Sequence, residues 1–163
     1  MSLDVSVSTN GIRTSLGQSA IADAARAALR AEKVSHALLS ITLLDTRAIA
    51  RMNRTHLGHR GPTDVISFGF SRATESDPVI GDIYIAPEVA RDNAAASGVT
   101  LREEMTRLIV HGTLHVLGYD HPETDGREQS DMWKRQERIV GGLRSRARRA
   151  VARSSARSSR KPR

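Results

Sequence analysis

Three histidines fall within eleven residues of this chain, at 111, 115 and 121 in the string HGTLHVLGYDH. Residues four apart share one face of an α-helix, so His111 and His115 can both point at one ion. Gly118 permits the left-handed turn that ends a helix and brings His121 round as a third ligand. Three nitrogen donors at about 2.0–2.1 Å leave a tetrahedral zinc ion with one open position, the arrangement of a catalytic rather than a structural site. One Zn2+ per chain is the expectation, with water able to enter the open position. A lone histidine on an apolar face is an ordinary core residue; three at this spacing around a glycine read as ligands.

The metzincin peptidases share the spacing, and there a glutamate follows the first histidine as general base. Here that position is Gly112, which can neither take nor give a proton. A peptidase would have to bring a carboxylate from elsewhere, Glu103 and Glu104 being two turns back on the helix. A non-catalytic protein with a structural zinc would need a fourth ligand, from Asp120 or from the distant His36, His56 or His59. Asp120 also reads in two other ways, as the acceptor of a ligand imidazole N–H or as a turn-capping aspartate.

The elements that must position the histidines follow from periodicity. Thr100 and Glu103 form a capping-box pattern, and Leu101, Met105, Leu108, His111 and His115 continue one helical face, which must point inward. Residues 3–8 (LDVSVS) alternate as a strand, and 17–33 are Ala-rich at helical spacing. A strand at 37–44 precedes Asp45, which caps a short helix through Met52 and Asn53. Residues 64–70 (DVISFGF) and 80–85 (IGDIYI) are two further strands around a polar loop at 71–78. Pro87 opens a helix to about Ala96, and a last amphipathic helix covers 127–143. The expected fold is α+β, a small mixed β-sheet packed with helices, with the metal site on a helix followed by a glycine turn.

At 163 residues with 39% hydrophobic residues the chain is one domain's worth. It has no apolar run long enough to span a membrane. No cysteine and an N-terminal MSLDVSVSTNG without signal-peptide regions make a cytoplasmic protein the default expectation. The net charge of +7 is unevenly placed. Residues 144–163 hold eight Arg and one Lys with no acid, leaving 16 basic against 18 acidic residues elsewhere. Residues 1–143 therefore read as the single catalytic domain and 144–163 as a disordered Arg/Ser-rich extension, either an RNA-binding arm or a solvated terminus.

HGTLHVLGYDH resembles the signature of the YbeY family of bacterial endoribonucleases. GPTDVISF at 61–68, GDIYIAPEVA at 81–90 and the late Met132 and Glu137 are similar to that family's other recurrent segments, in the same order. The resemblance implies an α+β fold, zinc held by His111, His115 and His121, and metal-dependent cleavage of single-stranded RNA. It further implies maturation of the 3′ end of 16S rRNA and ribosome quality control, with the small ribosomal subunit and its assembly factors as partners. Two departures stand out. Many members carry Arg where this chain has Leu57, and the basic extension is not a recognised family feature.

The chemistry implied is metal-assisted phosphodiester hydrolysis, in which zinc lowers the pKa of a bound water and polarises a phosphoryl oxygen. Gly112 is then no obstacle. An arginine beside the metal would stabilise phosphoryl charge, since its planar fork matches phosphate. Arg60 is the candidate, with Arg54 nearby, and each reads equally as an ordinary solvated arginine. Thr63, Asp64 and Ser67 line the cleft on the strand facing the ligand helix, although Asp64 also reads as a turn residue. With 3% aromatic residues, backbone contacts should dominate over base stacking.

Overall fold

Apolar residues repeating at two, then at three to four, along the first 43 residues build a strand, a helix and a second strand. In the computed structural model, which describes residues 1–160, these are β1 (Ser2–Ser8), α1 (Gln18–Ala31) and β2 (His36–Leu43). Asp45 then accepts the backbone N–H of Ala48 and starts α2 (Thr46–Leu57), which stops at Gly58 in the left-handed conformation. β3 (Val65–Gly69) and β4 (Val79–Ile85) follow, then α3 (Pro87–Ser97), α4 (Leu101–Val116), a 3-10 turn (Arg127–Gln129) and α5 (Asp131–Ser158). The fold is α+β.

The four strands lie in the order β1-β2-β4-β3, with β1, β2 and β4 mutually parallel and β3 antiparallel to β4. One face of this mixed sheet presents Leu39, Ile41, Leu43, Ile83 and Ile85 to α1 and α4, where they form the main core. On the other face, Ile49 of α2 packs against Ile66 and Ala86. Among the described residues, no helix is long and apolar enough to cross a membrane.

α4 is the centre of the molecule. It lies against α1, α3, α5, β3 and β4, and ten of its residues are buried. Periodicity predicts one inward face for α4; instead it is enclosed on nearly all sides because helices flank it while the sheet supports it. Fully burying Ile109 and Leu114 stabilises the fold by about 1.5–3 kcal/mol each. The close seating depends on Gly81 of β4, where a β-carbon would overlap the side chain of Val116. The N-terminal cap is half of the expected box: Thr100 accepts the N–H of Glu103 at 3.1 Å. Glu103's carboxylate instead faces Arg107 and Arg144.

A second correction concerns the basic extension. Its composition predicts disorder from residue 144, but α5 continues through Ser158. Alanine and arginine are strong helix formers, and after Gly141 and Gly142 no glycine or proline interrupts residues 144–158. Its packing ends where the notional boundary fell: Leu143 still lies against the core, and every residue from Arg144 to Arg160 is exposed. Residues 161–163 of the extension lie outside the described residues.

Candidate metal centre

The last two turns of α4 carry His111 and His115, and the chain then reverses at Gly118, whose φ of +97° a side chain rarely adopts. Tyr119 N–H returns to the carbonyl of Leu114 at 3.1 Å, closing the helix. Asp120 accepts the backbone N–H of His121 at 2.8 Å, so its carboxylate holds the turn rather than an imidazole. The result is convergence: one ring nitrogen from each of His111, His115 and His121 lies within 4.8 Å of the others.

The outward nitrogens fix the tautomers. His115 Nδ1 lies 2.9 Å from the carbonyl of Tyr119, and His121 Nδ1 lies 2.9 Å from the carbonyl of Pro122. A carbonyl can only accept, so both Nδ1 atoms carry the proton. His111 Nδ1 sits 2.7 Å from Gln136 Oε1. The amide nitrogen of that glutamine donates to Glu137 at 3.2 Å, which turns the amide oxygen toward the histidine. All three Nε2 lone pairs therefore face inward. The Nε2 atoms of His111 and His121 are 3.3 Å apart. Two lone pairs at that distance repel unless a cation lies between them. A tetrahedral ion with bonds of about 2.0–2.1 Å separates its ligands by about 3.3–3.4 Å. The donor set fits zinc, and imidazole equally suits nickel, copper and iron.

Burial favours the ligand form. It holds His111 down to about 4, outweighing the glutamine hydrogen bond, and the neighbouring histidines push in the same direction. Burial also lowers His115. Both are neutral at pH 7, as metal binding requires.

Gly112 is a matter of space as well as chemistry. A β-carbon there would lie 2.8 Å from Ile83 Cγ2 and 3.0 Å from Ser67 Oγ, a buried hydroxyl with no hydrogen-bond partner. A glutamate at this position has no room while α4 rests on β3 and β4. The other carboxylates a peptidase could recruit are engaged: Arg107 pairs with Glu103 at 3.4 Å and with Glu104 at 3.5 Å. Burial raises Glu104, and Arg107 partly offsets this.

Beside His111 opens a cavity of about 440 Å³ lined by Asp64, Glu104, Arg107, Arg127, Trp133 and Glu137, among others. Arg107 makes a two-pronged bond to Glu137, with Nη2 to Oε1 at 2.9 Å and Nε to Oε2 at 3.0 Å. Burial alone would raise Glu137, but the hydrogen bonds from Arg107 and Gln136 hold it below its ordinary value. This ties the support of His111 to α4 through a chain from Gln136 to Glu137 to Arg107.

Of the residues singled out from sequence, the three histidines come together, Asp64 lines the adjoining cavity, and Ser67 faces Gly112. Asp64 is also occupied locally, accepting from Val65 N–H and Asn93 Nδ2. Arg60 is exposed on the loop between α2 and β3 and does not line that cavity. Arg54, Leu57, His56 and His59 are exposed on or just after α2, and His36 is exposed at the start of β2. None of these histidines joins the cluster among the described residues. Sequence reasoning missed Gln136. Its signal was available: Met132, Gln136 and Val140 are four apart and are the buried residues of α5, so a polar side chain sits in the middle of an apolar stripe.

Comparison with known proteins gives a consistent result. The family model described as Endoribonuclease YbeY matches residues 4–144. A protein of Frankia alni named endoribonuclease YbeY is 39% identical over 127 residues, covering 71% of this chain and 69% of the relative. One of the same name from Mycolicibacterium paratuberculosis is 43% identical over 111 residues, covering 63% and 62%. The matches thus span about two thirds of those relatives' length. The solution structure of TM1509 from Thermotoga maritima shares the fold, with a TM-score of 0.55 and 24% identity over 87% of this chain and 93% of that one.

Proposed function

Because the chain belongs to the YbeY endoribonuclease family, we propose that it cleaves phosphodiester bonds of single-stranded RNA with a divalent ion, zinc foremost, held by His111, His115 and His121. The observation that carries this reading is the inward set of three Nε2 lone pairs, each fixed by an acceptor on the opposite nitrogen. A bound ion of this kind supplies Lewis acidity, activating water and polarising a phosphoryl oxygen without a dedicated protein base. Everything else is the chain's own work. Gln136, Tyr119 and Pro122 hold the imidazoles in the ligating tautomer. α4 and β3 wall the site on the side of Gly112, and the cavity beside His111 opens next to it.

Single strands are the preferred substrate because a phosphodiester must bend into that cavity, and an A-form duplex presents its backbone less freely. Arg60, the phosphate contact expected from sequence, is exposed and lies outside that cavity, so only its charge and exposure support that role. The finer assignment follows from the family resemblance: maturation of the 16S rRNA 3′ end and ribosome quality control, in the cytoplasm, with the small subunit and its assembly factors.

The test is to incubate the zinc-loaded protein with single-stranded RNA, duplex RNA and casein, each with and without chelator. Cleavage of the single strand alone, abolished by chelator and by His115→Ala, is the expected result. Emission spectroscopy should find about one zinc per wild-type chain. A His115→Ala protein that keeps its metal, or equal cutting of duplex and single strand, would refute the assignment.

A further inference from the structure

Two arginines line the cavity beside His111, and their states differ. Arg107 is mostly buried, and its guanidinium is committed to Glu137, Glu103 and Glu104. Arg127 is exposed at the start of the 3-10 turn and, among the described residues, makes no ion pair. Its guanidinium lies 5.8 Å from the ring centroid of Trp133, within cation–π range. Trp133 is itself held on the first turn of α5, where its backbone N–H bonds to Ser130 Oγ at 3.2 Å. Of the acids sharing the cavity, Glu104 and Glu137 face Arg107 and Asp64 accepts from Asn93, while Glu128, next to Arg127 in the chain, makes no ion pair among the described residues.

We propose that Arg127, steadied against the face of Trp133, is the phosphate contact at the mouth of the metal site, gripping the nonbridging oxygens of an RNA phosphate that approaches His111. A guanidinium held at cation–π range from an aromatic ring still has its N–H groups available for a two-pronged bond to phosphate. This rests on the ribonuclease reading above, and it places the cation on the turn after the ligand loop rather than at Arg60.

The decisive measurement is binding of a fluorescent single-stranded oligoribonucleotide to the full chain in chelator, where no cutting occurs, across a salt series. Zinc content and kcat/KM are measured in parallel. Arg127→Gln should weaken binding roughly tenfold to a hundredfold, the range for losing a hydrogen bond to a charged group. It should flatten the salt slope by about 0.7, one single-strand phosphate contact, and leave zinc content at the wild-type level. Arg127→Lys should restore the slope but not the full affinity, and Trp133→Leu should fall between wild type and Arg127→Gln. Unchanged affinity and slope in Arg127→Gln, or a loss found only in Arg60→Gln, overturns the proposal while wild-type cleavage leaves the ribonuclease reading standing. A wild-type chain that neither binds nor cuts RNA overturns both.

Discussion

α4 and the part of α5 beyond Leu143 are both unbroken helix, yet they exist for different reasons. α4 contains Thr106, Ile109, Val110, Gly112, Thr113 and Val116, residues of middling or poor helix propensity. It is helical because its neighbours bury it. The outer part of α5 is mostly Ala, Arg and Ser, with every residue exposed, and beyond the pairing of Arg144 with Glu103 it is helical chiefly through local preference. It also sets like charges four apart at 144 and 148, at 149 and 153, and at 153 and 157, each pair costing about 0.2–0.5 kcal/mol. The difference teaches where positional precision comes from. Packing fixes Nε2 atoms to within a coordination sphere, whereas propensity presents charge without fixing where it lands. The first helix can hold a histidine cluster in register for a metal, and the second is suited to loose attraction of a polyanion.

Three perturbations bear on that contrast. Removing metal and lowering pH should produce the largest effect, because His111 is buried neutral in the fold and titrates near its ordinary value when unfolded. Its folded pKa is depressed, so the unfolded chain binds the proton first, and stability falls as pH drops from 6.5 toward about 4. The loss should reach roughly 3 kcal/mol. It is read as the difference in urea unfolding between metal-free wild type and His111→Gln at pH 7 and pH 4.5. A difference that does not change with pH would mean that α4 encloses His111 less tightly than drawn here.

Gly112→Ala comes next. Its β-carbon meets Ile83 and Ser67, and overpacking of this kind costs about 1–3 kcal/mol. A thermal midpoint matching wild type would show that α4 has slack against the sheet, contrary to the comparison. The smallest effect on folding is expected from truncation after Leu143, which should change stability by no more than about 0.5 kcal/mol. It should still flatten the salt dependence of RNA binding by up to about 0.7 log units per lost contact, with cleavage at saturation intact. Superimposable salt titrations would make the extension a solvated terminus only.

The sequence by itself determined the histidine cluster and most of its scaffold. Spacings of four and six around Gly118 encode the histidine cluster, because helix geometry and a left-handed turn are local properties. The same locality made the strands, Asp45's cap and the start of α3 at Pro87 legible to within a few residues. At the basic extension charge and local preference point in opposite directions, and the propensity of Ala and Arg for helix prevails through Ser158. Only the tertiary structure decided what surrounds the ligands. Gln136 reaches His111 from 25 positions away, and Glu137 reaches Arg107 from 30. Ser67 meets Gly112 only because β3 lies beneath α4. Arg127 and Arg60 are equally exposed and equally charged as letters, and only the fold places one of them beside His111. Contacts between distant segments depend on how helices and sheet stack, and residue spacing along the chain does not carry that information.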